Sequence, residues 1–179
     1  MGQYYLAVIL GDLSHLNFLK KEYVRCWLSP YSYGNGVKLM EHSYVNNRFI
    51  SAFEYLISPD GPFYMSRVVW AGDYAENEPN SNENLHKMLC EKDEKLEKPV
   101  AYDTTTYRYI VNHTKMQYVD KEALYIHPLP LLIAEGNGMG GGDYKGRNKH
   151  LCGTWARDVI SVEYTKPDEF SELFCDFGE

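Results

Sequence analysis

The sequence of 179 residues predicts a single α+β domain with a mostly antiparallel sheet, one major helix and a charged helical or loop insertion. Two short apolar runs, residues 3–10 and 67–70, are typical of buried strands, and a Gly-Asp pair follows each of them closely. Residues 37–58 carry apolar side chains at spacings of three and four, which predicts the major helix.

The other elements are predicted from turn and cap signals. Residues 23–28 are expected to pair antiparallel with the first strand, and the Asn46-Asn47 pair to cap a second helical piece that ends before Pro59. Residues 107–111 and 116–119 flank the turn sequence Asn-His-Thr-Lys, which indicates a hairpin. A short helix is expected to begin at Pro130, and residues 154–164 predict a long final strand.

One domain is predicted over residues 1–179, with two peripheral segments. Residues 75–98 are interpreted as a surface insertion, because their first half has almost no apolar content and their second half only a thin apolar side. Residues 167–179 are interpreted as an acidic tail.

Composition narrows the function classes. The net charge of −7 disfavours bare nucleic acid unless a local basic patch overrides it, and it favours basic partners; a solvated acidic surface is the alternative. No stretch reaches the roughly 20 apolar residues of a membrane helix, and no leader is recognised, so a cytoplasmic protein without membrane contact is expected.

The four cysteines form no Cys-x-x-Cys pair, so neither a metal nor a cofactor is predicted. The oligomeric state stays open.

A glycine-rich segment is the first candidate site. Residues 136–146, hereafter the glycine loop, contain six glycines, and Lys145, Arg147 and Lys149 add positive charge. Backbone N–H groups in such a loop can cradle a phosphate, with Asn137 as a further contact. The spacing matches no complete phosphate-binding motif, and a tight packing corner is the alternative.

The tripeptide Gly-Asp-Tyr occurs at residues 72–74 and again at 142–144, each time after an apolar segment. If both copies lie at one edge of the domain, Asp73 and Asp143 could polarise a hydroxyl or bind a divalent ion, and Tyr74 and Tyr144 could stack on a base or sugar. Ordinary turn chemistry is the alternative.

Histidines supply a candidate acid–base pair. His42 with His113 or His127 could act as the general base and acid of a metal-independent ribonuclease, with Lys145 or Arg157 steadying the phosphate and Asp143 as a further catalytic candidate. The alternatives are a packed helix residue for His42 and a turn residue for His113.

Aromatic and basic side chains supply the remaining binding candidates. Trp155 and Arg157 could form a recognition pair, although a structural ion pair is the alternative for Arg157. Tyrosine is abundant, at 16 residues, and most tyrosines lie in or beside predicted strands. The four in glycine-rich turns are the recognition candidates, together with Asn35: Tyr31, Tyr33, Tyr74 and Tyr144.

Several motifs together resemble a family of small proteins from bacteria, phages and mobile elements. They are Met-Gly-Gln-Tyr-Tyr at residues 1–5, Tyr-Gly-Asn-Gly at 33–36, Lys-Leu-Met-Glu-His-Ser at 38–43, Trp-Ala-Gly-Asp-Tyr at 70–74, Asn-His-Thr-Lys at 112–115, the glycine loop, and Gly-Thr-Trp-Ala at 153–156. The resemblance covers residues 1–163 and transfers no catalytic role. It implies a mobile-element accessory protein, compatible with an anti-CRISPR inhibitor of a Cas9-type effector.

Three functions follow as hypotheses. The first is a counter-defence protein that binds a host Cas9-like nucleoprotein effector through acidic patches and tyrosines, and that blocks DNA binding or acts on the guide RNA. The second is a small nucleotide-binding protein or hydrolase built on the glycine loop with Asp73 and Asp143. The third is an interaction module without chemistry.

Overall fold

Eight strands and four helices are found in the residues that this computed structural model describes, namely 2–11, 23–90 and 105–178. The strands are β1 (Tyr5–Leu10), β2 (Val24–Leu28), β3 (Ser66–Gly72), β4 (Tyr109–Asn112), β5 (Gln117–Asp120), β6 (Ala134–Glu135), β7 (Val159–Glu163) and β8 (Ser171–Glu172). The helices are α1 (Leu39–His42), α2 (Arg48–Leu56), α3 (Leu85–Cys90) and α4 (Pro128–Leu132).

All the strands belong to one sheet, in the order β2-β1-β3-β7-β4-β5-β8, with β6 paired to β3. The pairings β3–β6 and β5–β8 are parallel, and the others are antiparallel. The predicted α+β fold with a mostly antiparallel sheet is therefore confirmed, as are the pairing of the first two strands and the hairpin of β4 and β5.

The two central strands are buried on both faces, which explains why they read as continuous apolar runs. Ile9 on β1 and Trp70 on β3 pack into the larger core beneath α1, α2 and α4. Their neighbours Val8 and Val69 face the opposite side, where Leu85 and Leu89 of α3 cover them. Alternation between polar and apolar residues is lost because neither face meets water.

The predicted helical stretch of residues 37–58 is two helices joined by a cap. The Asn47 side chain accepts the N–H of Phe49 at 2.8 Å and begins α2, as the Asn-Asn pair indicates. His42, the last residue of α1, is fully buried in the core.

The final strand is shorter than predicted. Residues 154–158 form turns, with Gly153 at φ 75° and Arg157 at φ 66°, and β7 begins only at Val159. These left-handed backbone angles interrupt the extended run, so the alternation expected for Trp155 and Arg157 does not apply there.

The two segments interpreted as peripheral contribute to the packing. The described part of residues 75–98 ends at residue 90 and supplies Leu85 and Leu89 to the second core. The described part of the acidic tail adds β8 to the sheet and buries Cys175 and Phe177. In the part of the chain that the structure describes, no helix has the length and apolar content needed to cross a bilayer.

Candidate functional site at the glycine loop

The glycine loop is closed by its own side chains. Asp143 Oδ2 accepts the backbone N–H groups of Gly138 and Gly140, both at 2.7 Å. Asn137 and Tyr144 bond each other's backbones: Asn137 Oδ1 accepts the N–H of Tyr144 at 2.8 Å, and Asn137 Nδ2 donates to the Tyr144 carbonyl at 3.2 Å. Asp143 therefore occupies the N–H groups that the sequence suggested for a phosphate, and an anionic ligand must use other groups.

Tyr144 joins the loop to the C-terminal segment. Its hydroxyl lies 2.6 Å from the Arg147 carbonyl and 2.8 Å from the Gly178 carbonyl, and it accepts the Gly178 N–H at 2.9 Å. A Cβ on Gly146 would lie 2.0 Å from the Gly178 carbonyl oxygen, so only glycine fits this crossing. Tyr144, predicted as a recognition residue, is buried and holds two segments together.

A cleft of about 630 Å³ opens beside this junction. We call it the tyrosine cleft. Its lining includes Met40, Tyr44, Tyr125, Lys145, Arg147 and Phe177. Tyr44 and Tyr125 meet edge to face with ring centroids 5.7 Å apart, and Tyr125 is 77% exposed. Large exposed rings next to cations make this cleft a candidate ligand surface.

The cations of the tyrosine cleft are accessible to a ligand. Lys145 is exposed, and within residues 2–11, 23–90 and 105–178 it has no ion pair. Arg147 contacts Asp176 at 2.9 Å, but the two side chains are 63% and 66% exposed, so this pair is weak. The exchange of Asp176 for a ligand anion therefore costs little.

Unpartnered polar atoms gather behind the glycine loop. Of six buried side-chain nitrogen and oxygen atoms without a hydrogen bond among the described residues, four belong to Gln3, Tyr5 and Asp143. Gln3 Nε2 lies against Gly72 and Gly136, where a Cβ on either glycine would come within 2.3 Å. Burial, followed by the charge of Asp143, raises the pKa of Tyr5, so its phenol stays protonated.

The two Gly-Asp-Tyr copies lie at the same edge, beside the first residues of the chain. Tyr4 donates its N–H to Asp73 Oδ1 at 3.0 Å, and Gln3 donates its N–H to the Gly141 carbonyl at 3.0 Å. Asp143 bonds N–H groups of its own loop, as turn chemistry requires, whereas Asp73 bonds the N–H of a residue 69 positions away. Nowhere in the described ranges do three His, Cys, Asp or Glu side chains gather as a metal site would need.

The predicted histidine pair is not brought together. His42 lies in the core with Nε2 2.8 Å from the Gly36 carbonyl, and Nδ1 accepts the indole N–H of Trp70 at 2.8 Å. Burial lowers the pKa of His42 to about 4, and both ring nitrogens are occupied, so none is left for a substrate.

The other two histidines also bond within the fold. His113 Nε2 lies 2.8 Å from Ser161 Oγ, and burial lowers the pKa of His113. His127 Nε2 lies 2.7 Å from Glu54 Oε1, and the same carboxylate oxygen takes Lys121 in a buried triad. His113 therefore has the turn role that was its alternative to catalysis, and His127 belongs to a buried polar cluster.

Arg157 is a structural cation. Its guanidinium bonds Glu135 at 2.6 Å and 3.0 Å, Tyr23 at 2.6 Å, and both carboxylate oxygens of Glu78. Trp155 is buried and donates its indole N–H to Gln117 at 3.2 Å. The ion-pair alternative therefore describes Arg157.

A second cleft, of about 520 Å³, lies on the other side of the glycine loop. We call it the glutamate cleft. Its lining includes Tyr74, Glu76, Glu78, Glu135, Asn137 and Arg157. Tyr74, a predicted recognition residue, faces this acidic surface and not the tyrosine cleft.

The remaining binding candidates lie apart from both clefts. Tyr31 is 75% exposed, whereas Tyr33 packs on Phe49 with ring centroids 5.7 Å apart. Asn35 donates to the Glu41 carbonyl at 3.1 Å and accepts from Asn47 Nδ2 at 2.8 Å, so it shapes the turn before α2.

Sequence reasoning identified Asp143, Lys145 and Arg147 but missed Gln3, Tyr5, Tyr44 and Tyr125. Tyr5 is in a strand and Tyr44 lies between helices, and nothing in their local sequence distinguishes them from packing residues.

Comparison of the chain with models of known protein families, with curated proteins and with solved structures found no match.

Proposed function

We propose that the protein binds a nucleotide in the tyrosine cleft. The observation that carries this proposal is the juxtaposition, in one cleft, of the exposed rings of Tyr44 and Tyr125 with the cations Lys145 and Arg147. Tyrosine faces stack on any base, and lysine and arginine bind phosphate oxygens. The cleft volume of about 630 Å³ lies in the range of small-ligand sites.

Binding is favoured over hydrolysis. The histidines considered for acid–base chemistry bond groups of the fold, and Asp143 Oδ2 is held by two loop N–H groups. A binding function needs only the stacking and phosphate contacts, which the cleft offers on its surface.

The test is a calorimetric titration of the whole protein with AMP, GMP, CMP and UMP, and with inorganic phosphate. A nucleotide is expected to bind more tightly than phosphate, because phosphate gains nothing from the tyrosines. The double variant K145A/R147A should weaken nucleotide binding at least about tenfold, since two charge-assisted contacts are lost.

A matched control is K87A, because Lys87 is an exposed cation of α3, on the other face of the sheet, paired with Glu83. It should leave nucleotide affinity unchanged. No heat with any of the four nucleotides, or equal losses in K145A/R147A and K87A, would contradict the proposed site.

A second candidate function is inhibition of a host Cas9-like nucleoprotein effector, as the motif resemblance implies. The observation that favours it is Phe174, which is 80% exposed on the C-terminal segment among the exposed acids Asp168, Glu169 and Glu172. An exposed ring among carboxylates suits a basic partner surface such as a nucleic-acid channel.

Co-elution of the protein with a guide-loaded Cas9-type effector tests this function. The complex should form at low salt, weaken as salt rises, and be lost in F174A/E172K. The control T165A changes an exposed residue before the acidic segment and should leave co-elution intact. If wild-type protein does not co-elute at low salt, the inhibitor function is wrong.

A further inference from the structure

We infer that the tyrosine cleft selects ribonucleotides over deoxyribonucleotides, and that the free carboxylate oxygen of Asp143 is the selecting group. This inference rests on the proposed nucleotide-binding function. It adds the sugar class of the ligand, which the tyrosines and cations of the cleft do not distinguish.

Asp143 has two oxygens with separate tasks. Oδ2 accepts two loop N–H groups at 2.7 Å and fixes the glycine loop. Oδ1 is buried and has no hydrogen-bond partner, although the residue lines the tyrosine cleft. A buried carboxylate oxygen without a donor is costly, so a ligand donor that reaches it gains more than a surface contact would.

The surroundings of Oδ1 favour a neutral donor. Tyr5 and Gln3 contribute further unpartnered polar atoms to the same buried region, and neither carries a positive charge. A phosphate would be repelled by the carboxylate, whereas a hydroxyl donates to it. In dinucleotide-binding folds an acidic residue binds the ribose 2′-hydroxyl in this way.

The glycine loop places Asp143 beside the cations of the tyrosine cleft. Gly140, Gly141 and Gly142 immediately precede Asp143, and Gly142 and Gly138 already adopt left-handed angles with φ 84° and 98°. Asp143, Lys145 and Arg147 line the same cleft, so a sugar whose phosphate contacts the two cations lies beside the Asp143 carboxylate.

The experiment compares the affinities of AMP, 2′-deoxy-AMP and 2′,3′-dideoxy-AMP for the wild-type protein by calorimetry. AMP is expected to bind at least about tenfold more tightly than both 2′-deoxy-AMP and the dideoxy form, because each of these lacks the 2′-hydroxyl that donates to the carboxylate oxygen. Inosine monophosphate is the control for the base: it lacks the amino group of AMP and should bind as AMP does.

The variant D143N separates recognition from loop structure. The Asn carbonyl can still accept the two loop N–H groups, but the free position becomes an amide donor. We expect D143N to keep the wild-type melting temperature within a few degrees and to reduce the preference for AMP over dideoxy-AMP, because a neutral amide–hydroxyl contact is weaker than a carboxylate–hydroxyl contact.

Equal binding of the three AMP forms to wild-type protein would overturn the inference and leave the proposed function intact. Weaker binding of inosine monophosphate with equal binding of the three sugars would assign Asp143 to a base amino group and also overturn it. If no nucleotide binds, the proposed function itself fails.

Discussion

On one side of the glycine loop, Lys145 and Arg147 extend into solvent, while on the other side Arg157 has its N–H groups bonded to Glu78, Glu135 and Tyr23. The tyrosine cleft therefore holds cations that can exchange partners, and the glutamate cleft holds a cation that cannot. The glycine loop separates the two clefts. Both contain arginine, tyrosine and acidic residues, but in the tyrosine cleft the cations are accessible to a ligand, and in the glutamate cleft the cation stabilises the fold.

The difference shows that a cation in a cleft indicates ligand binding only when the burial of its ion-pair partners is also known. Arg157 and Arg147 look equivalent in the sequence, since each follows a small residue and lies near an aspartate. Burial of Glu78 fixes Arg157, because either group alone would be an uncompensated charge. Exposure of Asp176 leaves Arg147 free to bind an anion.

The largest effect is expected for R157A. This substitution leaves the buried carboxylate of Glu78 without its cation, so the free energy of unfolding should fall by about 3 kcal/mol or more. R157K keeps a charge but loses the guanidinium geometry, and should fall between R157A and wild type. Urea denaturation measures this, with K145A as the control that changes stability little. If the free energy of unfolding of R157A fell by less than about 1 kcal/mol, Arg157 would not be a structural cation and would not differ from Arg147 in this respect.

Acid should destabilise the wall of the tyrosine cleft through His42, which lies between the cleft residues Met40 and Tyr44. Its pKa falls from 6.5 to about 4 on folding, so the unfolded chain binds the extra proton between these values. The contribution of His42 to the free energy of unfolding is therefore fully present above pH 6.5. It declines as the pH falls toward 4, by roughly 3 kcal/mol.

Unfolding of wild type and H42Q across this pH range isolates the His42 contribution, since His86, His113 and His127 also have lowered pKa values and stay in both proteins. The free energy of unfolding should fall more steeply with decreasing pH in the wild type than in H42Q. A direct check is the NMR titration of His42 in the folded protein, where a pKa near 6.5 would contradict the buried assignment.

Much of the fold could be predicted from local signals. Apolar runs located β1 and β3, and the Asn-Asn pair located the break between α1 and α2. The start of β7 could not be predicted, because the left-handed angle of Arg157 is stabilised by Glu78 and Glu135, which are distant in sequence. Ion pairs between residues distant in sequence cannot be predicted from local conformational propensity.

The candidate site was only partly predictable. Glycine content pointed to the loop, but the sequence could not show that Asp143 would fill the N–H cradle. Tyr44 and Tyr125 meet through an isolated strand-like bridge between Tyr44 and Ile126, and this pairing is a property of the tertiary fold.

The junction between the loop and the C-terminal segment should be sensitive to Y144F. This variant removes the hydroxyl that contacts the Arg147 and Gly178 backbones, so the free energy of unfolding should fall by about 1–2 kcal/mol. Amide hydrogen exchange at Gly178 should rise with it. Y125F, which changes an exposed ring of the same cleft, is the control and should leave both measurements unchanged.

The smallest effect is expected for D176A, which frees Arg147. Both side chains are about two-thirds exposed, so the free energy of unfolding should change by less than about 0.5 kcal/mol. Nucleotide affinity should instead rise roughly two- to fivefold, because the ligand phosphate no longer competes with the carboxylate for Arg147. E76A, which removes an acid of the glutamate cleft, should leave the affinity unchanged. An equal gain in both variants would mean that net charge, and not the accessible arginine of the tyrosine cleft, attracts the ligand.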